Sequence, residues 1–217
     1  MADIFREIDE ELRQERAEKL WRRYGKYVIG GAVAVVLAIA AYTGWREYRT
    51  DQQLEAGARF AIAKALADEG KTGDAEALFV ALGAESGTTY GVLARFHAAA
   101  LRASSGDPAG AAEAFRGLAA DGGLDRPMRD LASLLAAQNA LDAPGADMQR
   151  VASDLAPLTG QDGAWRHLAL ETLALIELRT GDGDRAKTHL QRIVDDAAAP
   201  ANVRLRATQM LRMIADR

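Results

Sequence analysis

Apolar and polar positions fall into three regimes along the chain. In the first, "ADIFREIDEELRQERAEKLWRRYGKY", Ile4, Phe5, Ile8 and Leu12 recur at helical spacing, and Leu20, Trp21 and Tyr24 continue the stripe. Asp3 is placed to cap this helix, and Asp9–Arg13, Glu15–Lys19 and Glu18–Arg22 are acid-before-base pairs four residues apart. Gly25 is expected to break it. In the second regime, "YVIGGAVAVVLAIAAYTGW" from Tyr27 to Trp45, there is no charged residue. In the third, from about residue 51 onward, alanine is abundant and β-branched residues are sparse. Gly-Asp or Pro recurs there every 12 to 20 residues, which predicts helical hairpins and no strand.

The third regime repeats itself. "SSGDPAGAAEAFRGLAAD" (104–121) and "RTGDGDRAKTHLQRIVDD" (179–196) align without gaps at an offset of 75. That alignment pairs Ala111 with Ala186, Phe115 with Leu190 and Leu118 with Ile193. Between them, "MQRVASDLAPL" places Val151, Leu155 and Leu158 at the same relative spacing, dividing 75 into 40 and 35. Upstream, "GDAEALFVAL" echoes "AAEAFRGL". Periods of about 34 to 40 residues, each one helix–turn–helix, indicate tetratricopeptide-like repeats. Alanines at the crossings let two backbones approach while the larger residues fill the groove. The expected hairpins are 51–84, 88–121, 126–157 and 164–196, closed by a helix at about 200–216 that starts at Pro200.

Nineteen residues at about 1.5 Å each give a helix of about 28 Å, close to the roughly 30 Å hydrocarbon core of a bilayer. Seven of the nineteen are Val, Ile or Leu, together favouring insertion by roughly 3 kcal/mol at the helix centre. Trp21, Tyr27, Tyr42 and Trp45 mark its ends as interface anchors. Ala38-Ile39-Ala40 could serve as a leader-peptide cleavage site, but the long helical segment before the span favours an anchor. Lys19, Arg22, Arg23 and Lys26 before the span, against Arg46 and Arg49 after it, orient the N-terminus to the cytoplasm. Gly30, Ala34 and Ala38 share one face, where small residues permit close packing against another membrane helix.

The expected architecture is therefore all-α. It comprises a cytoplasmic amphipathic helix (1–26), a transmembrane anchor (27–48) and a repeat domain (49–217) of about four hairpins plus a terminal helix.

Charge and chemistry narrow the function. From residue 51 on there are 18 basic and 23 acidic side chains, which argues against nucleic acid as a partner. The chain has no cysteine, so no disulfide holds the fold. His97, His167 and His189 are its only histidines, no two of them four apart, and no metal set surrounds them. "GDGD" (181–184) reads as a turn followed by a capping carboxylate rather than a calcium loop. No nucleophile elbow or phosphate-cradling loop is present, so neither catalysis nor a cofactor is expected. Trp165, Tyr90 and Phe96 are open to two readings, as a concave binding surface or as repeat core.

The N-terminal helix, "LWRRYGKYVIGG" leading into the span, "GWREY" at its exit and the short repeat domain together resemble the ancillary SecYEG translocon subunit (YfgM-like) family. The opening 26 residues are most similar to its alphaproteobacterial-type branch. The resemblance implies an inner-membrane, non-enzymatic adaptor whose tail and span accompany the Sec translocon. It also implies that the periplasmic repeats associate with chaperones acting on emerging polypeptides. The same topology suits a second function, an envelope or cell-division scaffold assembling as a homo-oligomer through its repeats.

Overall fold

A computed structural model describes residues 2–85 and 89–215, with side chains from Arg22 onward except at positions 25, 28 and 32. The chain divides into two compact units, Met1–Leu54 and Glu55–Arg217.

The first unit is helical, the start of α1 (Ala2–Asp68). The helix runs through Gly25, where a break was expected. One helical glycine costs only about 1 kcal/mol relative to alanine, and no proline precedes Pro108 to enforce a stop. Every described side chain from Arg22 to Gln53 is exposed.

The second unit begins with the tail of α1, whose apolar positions Ala56, Phe60 and Ala63 pack against α2 (Thr72–Ala84). There follow α3 (Thr89–Ser104) with α4 (Pro108–Ala119), and α5 (Arg126–Asp142) with α6 (Met148–Leu155). The fourth pair is α7 (Arg166–Thr180) with α8 (Gly183–Val194), and α9 (Ala201–Ala215) ends the stack, with Pro200 just outside it. Each helix packs mainly on its sequence neighbours, with α7 also touching α5, and the described residues contain no strand.

The turns explain the period. Gly70, Gly106, Gly145 and Gly181 all have φ between 73° and 90°, and the third and fourth lie 75 residues beyond the first and second. Only glycine adopts that backbone without strain. After three of them the next N–H reaches back to close the preceding helix: Lys71 to Leu66 at 2.9 Å, Asp107 to Arg102 at 2.9 Å, and Asp182 to Glu177 at 2.8 Å. The third hairpin departs from the pattern. Its α6 has only eight residues and tightens into a 3-10 turn, Ala156–Thr159, because Pro157 has no N–H to continue the α-helix.

Alanine governs the packing. Ala111 and Ala186 are wholly buried, and Phe115, Leu118, Leu190 and Ile193 are buried beside them. Val151, Leu155 and Leu158 occupy the corresponding places in the third hairpin and are also buried. Each large apolar side chain so covered contributes about 1.5–3 kcal/mol.

Candidate protein-interaction surfaces

In the first unit, α1 from Ile29 onward is long and apolar enough to cross a membrane by length and composition, and none of that apolar window is buried by protein. A buried core helix of a soluble domain would show the reverse. Gly30, Ala34 and Ala38 lie four apart on one exposed face, and a Cβ at Gly30 would meet nothing within 4 Å. Tyr27 and Tyr42 are 68% exposed and Trp45 60%. Basic side chains lie over two of these rings: Lys26 Nζ is 5.2 Å from the Tyr27 ring and the Arg49 guanidinium 5.3 Å from that of Trp45. The side chain of Trp21 lies outside the described residues.

In the second unit a groove of about 790 Å³ runs between α4 and α6 with α5 as its floor. The floor is Ser133, Ala136, Ala137 and Ala140, with Ala112 of α4 beside it, so side-chain bulk is absent along its length. Glu113 and Arg116 of α4, which pair with each other, stand on one rim; Asp147, Arg150 and Asp154 stand on the other. An apolar floor of small residues between charged rims suits the large side chains of a peptide or helix. Nothing in it resembles a nucleophile held beside a base.

Three hairpins are clasped at their open ends by arginine–carboxylate pairs that sequence reading missed. Arg59 reaches Glu85; Arg95 reaches Asp121 at 2.5 Å; Arg166 reaches Asp196 at 2.7 Å. The signal was available. Arg59 and Arg95 are 36 residues apart, as are Glu85 and Asp121, and Asp196 lies 75 beyond Asp121. The hydrogen bond from Arg95, with that from the Gly123 N–H, holds the Asp121 carboxyl below the usual carboxylate range. Asp196 is held lower still by hydrogen bonds from His167, whose Nε2 is 2.8 Å away, from Arg166 and from the Ala198 N–H. The third hairpin lacks this clasp and is tied instead by Trp165, whose indole N–H donates to the Pro127 carbonyl at 2.8 Å.

The remaining singled-out residues are structural. Phe96 is buried against Phe115, with ring centroids 5.9 Å apart. Tyr90 packs on Phe60, and Trp165 packs on the core of the third and fourth hairpins. His97 stacks on Phe79 at 5.1 Å with its pKa lowered, by burial first and then by Lys64. His189 is shifted the same way, chiefly by burial. In "GDGD", Gly181 takes the left-handed turn and Asp182 caps α8. Among the described residues no cluster of His, Asp and Glu could hold a metal ion.

No curated protein and no solved structure matches the chain. Residues 18–147, more than half of the sequence, match the tetratricopeptide repeat-like domain, a protein-interaction module. With its hairpins, glycine turns and alanine crossings already in place, the chain belongs to the tetratricopeptide repeat-like domain family.

Proposed function

We propose that this protein is an adaptor anchored in the bacterial inner membrane by a single span. Its N-terminus lies in the cytoplasm and its repeat domain in the periplasm. The span associates with the Sec protein-export translocon, and the repeats associate with periplasmic chaperones that meet emerging polypeptides. The observation that carries the reading is the pairing, in one chain, of a charge-free helix left uncovered by protein with a repeat module that carries a groove floored by small residues. Excess Lys and Arg before the span supports the orientation. Similarity of the segments flanking the span to the ancillary translocon subunits supports the partner class.

Site-specific photo-crosslinking in living cells tests it. A photoreactive residue at Ala34 is expected to capture a translocon subunit, and one at Ser133, in the groove, a periplasmic chaperone. Capture of division or envelope-assembly proteins at both sites, with no translocon component, would replace the adaptor by an envelope scaffold.

A further inference from the structure

We propose that the repeat unit bends between its second and third hairpins, about the turn at Gly122-Gly123, and that this bend sets the width of the α4–α6 groove. Directional contacts hold the other two hairpin boundaries. Between the first and second hairpins, Arg102 of α3 donates to Glu76 of α2 at 2.7 Å. The His97 ring of α3 also lies 5.1 Å from both Phe60 and Phe79. Between the third and fourth, three side chains reach back to carbonyls: Trp165 to Pro127 at 2.8 Å, Arg179 to Leu141, and Arg192 to Thr159 at 3.2 Å.

The boundary between the second and third hairpins differs, because its polar side chains turn to their own hairpins. Arg95 goes to Asp121, Arg116 to Glu113, and Asn139 to the carbonyl of Leu135 on its own helix. Among the described residues no side chain of α3 or α4 makes a hydrogen bond or ion pair to α5, α6 or the 3-10 turn. What joins these hairpins is apolar and mostly small. Ala99, Phe115 and Leu118 cluster with Ala132 and Ala136, and Ala112 clusters with Ala137 and Ala140. Apolar packing is non-directional, so such faces stay together while one slides over the other.

Free space gathers at the same boundary. Besides the groove, a cavity of about 710 Å³ lies between Val92 of α3, the turn at Gly123 and Leu124, and Met128 of α5. Another, of about 300 Å³, lies between Phe96 and Ala100 of α3 and Leu135 of α5. The turn supplies the pivot. Asp121 is held by Arg95 of α3, and Asp125 is fixed by the Met128 N–H that it caps, so Gly122-Gly123 lies between two anchored carboxylates. Gly122 is not left-handed, and a Cβ there would meet nothing within 4 Å, so its backbone freedom is not consumed by the shape of the turn. Hinges are a few such loop residues that absorb a change in backbone angle. Glu113 and Arg116, the α4 wall of the groove, move with the first half; the α5 floor and α6 wall move with the second. The walls therefore separate without a polar bond being broken. The bend does not depend on what the groove binds, so its test needs no ligand.

The cysteine-free chain accepts pairs of spin labels on introduced cysteines. Double electron–electron resonance is read on the rapidly frozen full-length chain in mild detergent, diluted with unlabelled chain. Three pairs of exposed sites each cross one hairpin boundary in turn: Val80 with Glu113, Glu113 with Asp154, and Asp154 with Lys187. The distance distribution of the middle pair is expected to be about twofold broader than the other two. Gly122→Ala is expected to narrow the middle distribution and leave its neighbours unchanged. Equal widths for the three pairs would overturn the bend. A broad middle distribution that Gly122→Ala does not narrow would overturn the pivot at this turn.

Discussion

Asp107 and Asp182, 75 residues apart, make the same bond. Each carboxylate accepts from the backbone N–H three residues on, Gly110 at 2.8 Å and Arg185 at 3.0 Å, directly after a left-handed glycine. The pair marks the junction where each hairpin reverses and its second helix begins. Replacing such a cap with alanine leaves a helix donor without its partner, at a cost of about 0.5–2 kcal/mol. Asp182→Ala and Asp107→Ala are therefore each expected to lower the melting midpoint of the full chain. Asp184→Ala, within the first turn of α8 but with a 97% exposed side chain, should change it far less. Equal effects at 182 and 184 would remove the cap from the account.

The crossing at Ala186 supplies the second prediction. This residue is wholly buried where α8 meets its neighbours, and small side chains there set the distance between backbones. Ala186→Leu should overpack the crossing and destabilise by about 1–3 kcal/mol. Thermal melting checks it; an unchanged midpoint would mean that the crossing tolerates volume and that the alanine is incidental.

Much of this architecture was legible in the sequence, for definite reasons. Glycine turns and capping carboxylates are local signals, so Gly106-Asp107 and Gly181-Asp182 announced two hairpins before any contact was known. The alanine–aromatic–leucine spacing of Ala111, Phe115 and Leu118 likewise carried the register. What escaped depended on residues distant in sequence. Arg95 and Asp121 face each other only after α3 and α4 fold back, and neither is distinctive alone. Gly25 misled in the other direction: a single glycine is only a weak break signal, and no proline stands near it to enforce a stop. The groove over Ala136 and Ala140 was also hidden, since its walls on α4 and α6 meet the α5 floor only after the hairpins stack.

The clasp at Asp196 makes stability depend on acid. Its folded-state pKa is depressed by His167, Arg166 and the Ala198 N–H, so the unfolded chain binds the proton more readily. The contribution is complete above the unfolded value of about 3.9 and is lost as pH falls through the lower folded value. Asp196→Asn should therefore lower the melting midpoint at pH 7, and the gap to the parent should narrow below about pH 4. A gap constant from pH 7 to pH 2 would show that the carboxylate charge is not what holds the clasp.

His97 carries a second acid-sensitive term, in a higher window. Burial, aided by Lys64, depresses its pKa, so the folded state favours the neutral ring stacked on Phe79. That stability is full above the unfolded value of about 6.5 and declines as pH falls toward the folded one. His97→Phe keeps a ring in the stack and removes the titration. Its melting midpoint should fall less than the parent's between pH 7 and pH 5. Parallel pH profiles would place the acid sensitivity elsewhere.

The final prediction separates the two sides of the membrane in the proposed topology. Gly30, Ala34 and Ala38 form a narrow face on which no protein packs, while the α4–α6 groove lies wholly within the repeat unit. Small residues four apart let another membrane helix approach closely, and leucine at those positions holds it away. Ala34→Leu with Ala38→Leu should therefore reduce co-purification of translocon subunits at least several-fold. The double variant stays as apolar as before, so insertion is retained, and the melting midpoint of the repeat unit is expected to be unchanged. Removing residues 55–217 should do the opposite, sparing the membrane contact while chaperone recovery is lost. The paired variants distinguish the outcomes. Undiminished translocon recovery from the leucine variant would make the small face incidental to partner choice. Loss of translocon subunits only on removal of the repeats would transfer that contact from the span to the periplasmic side.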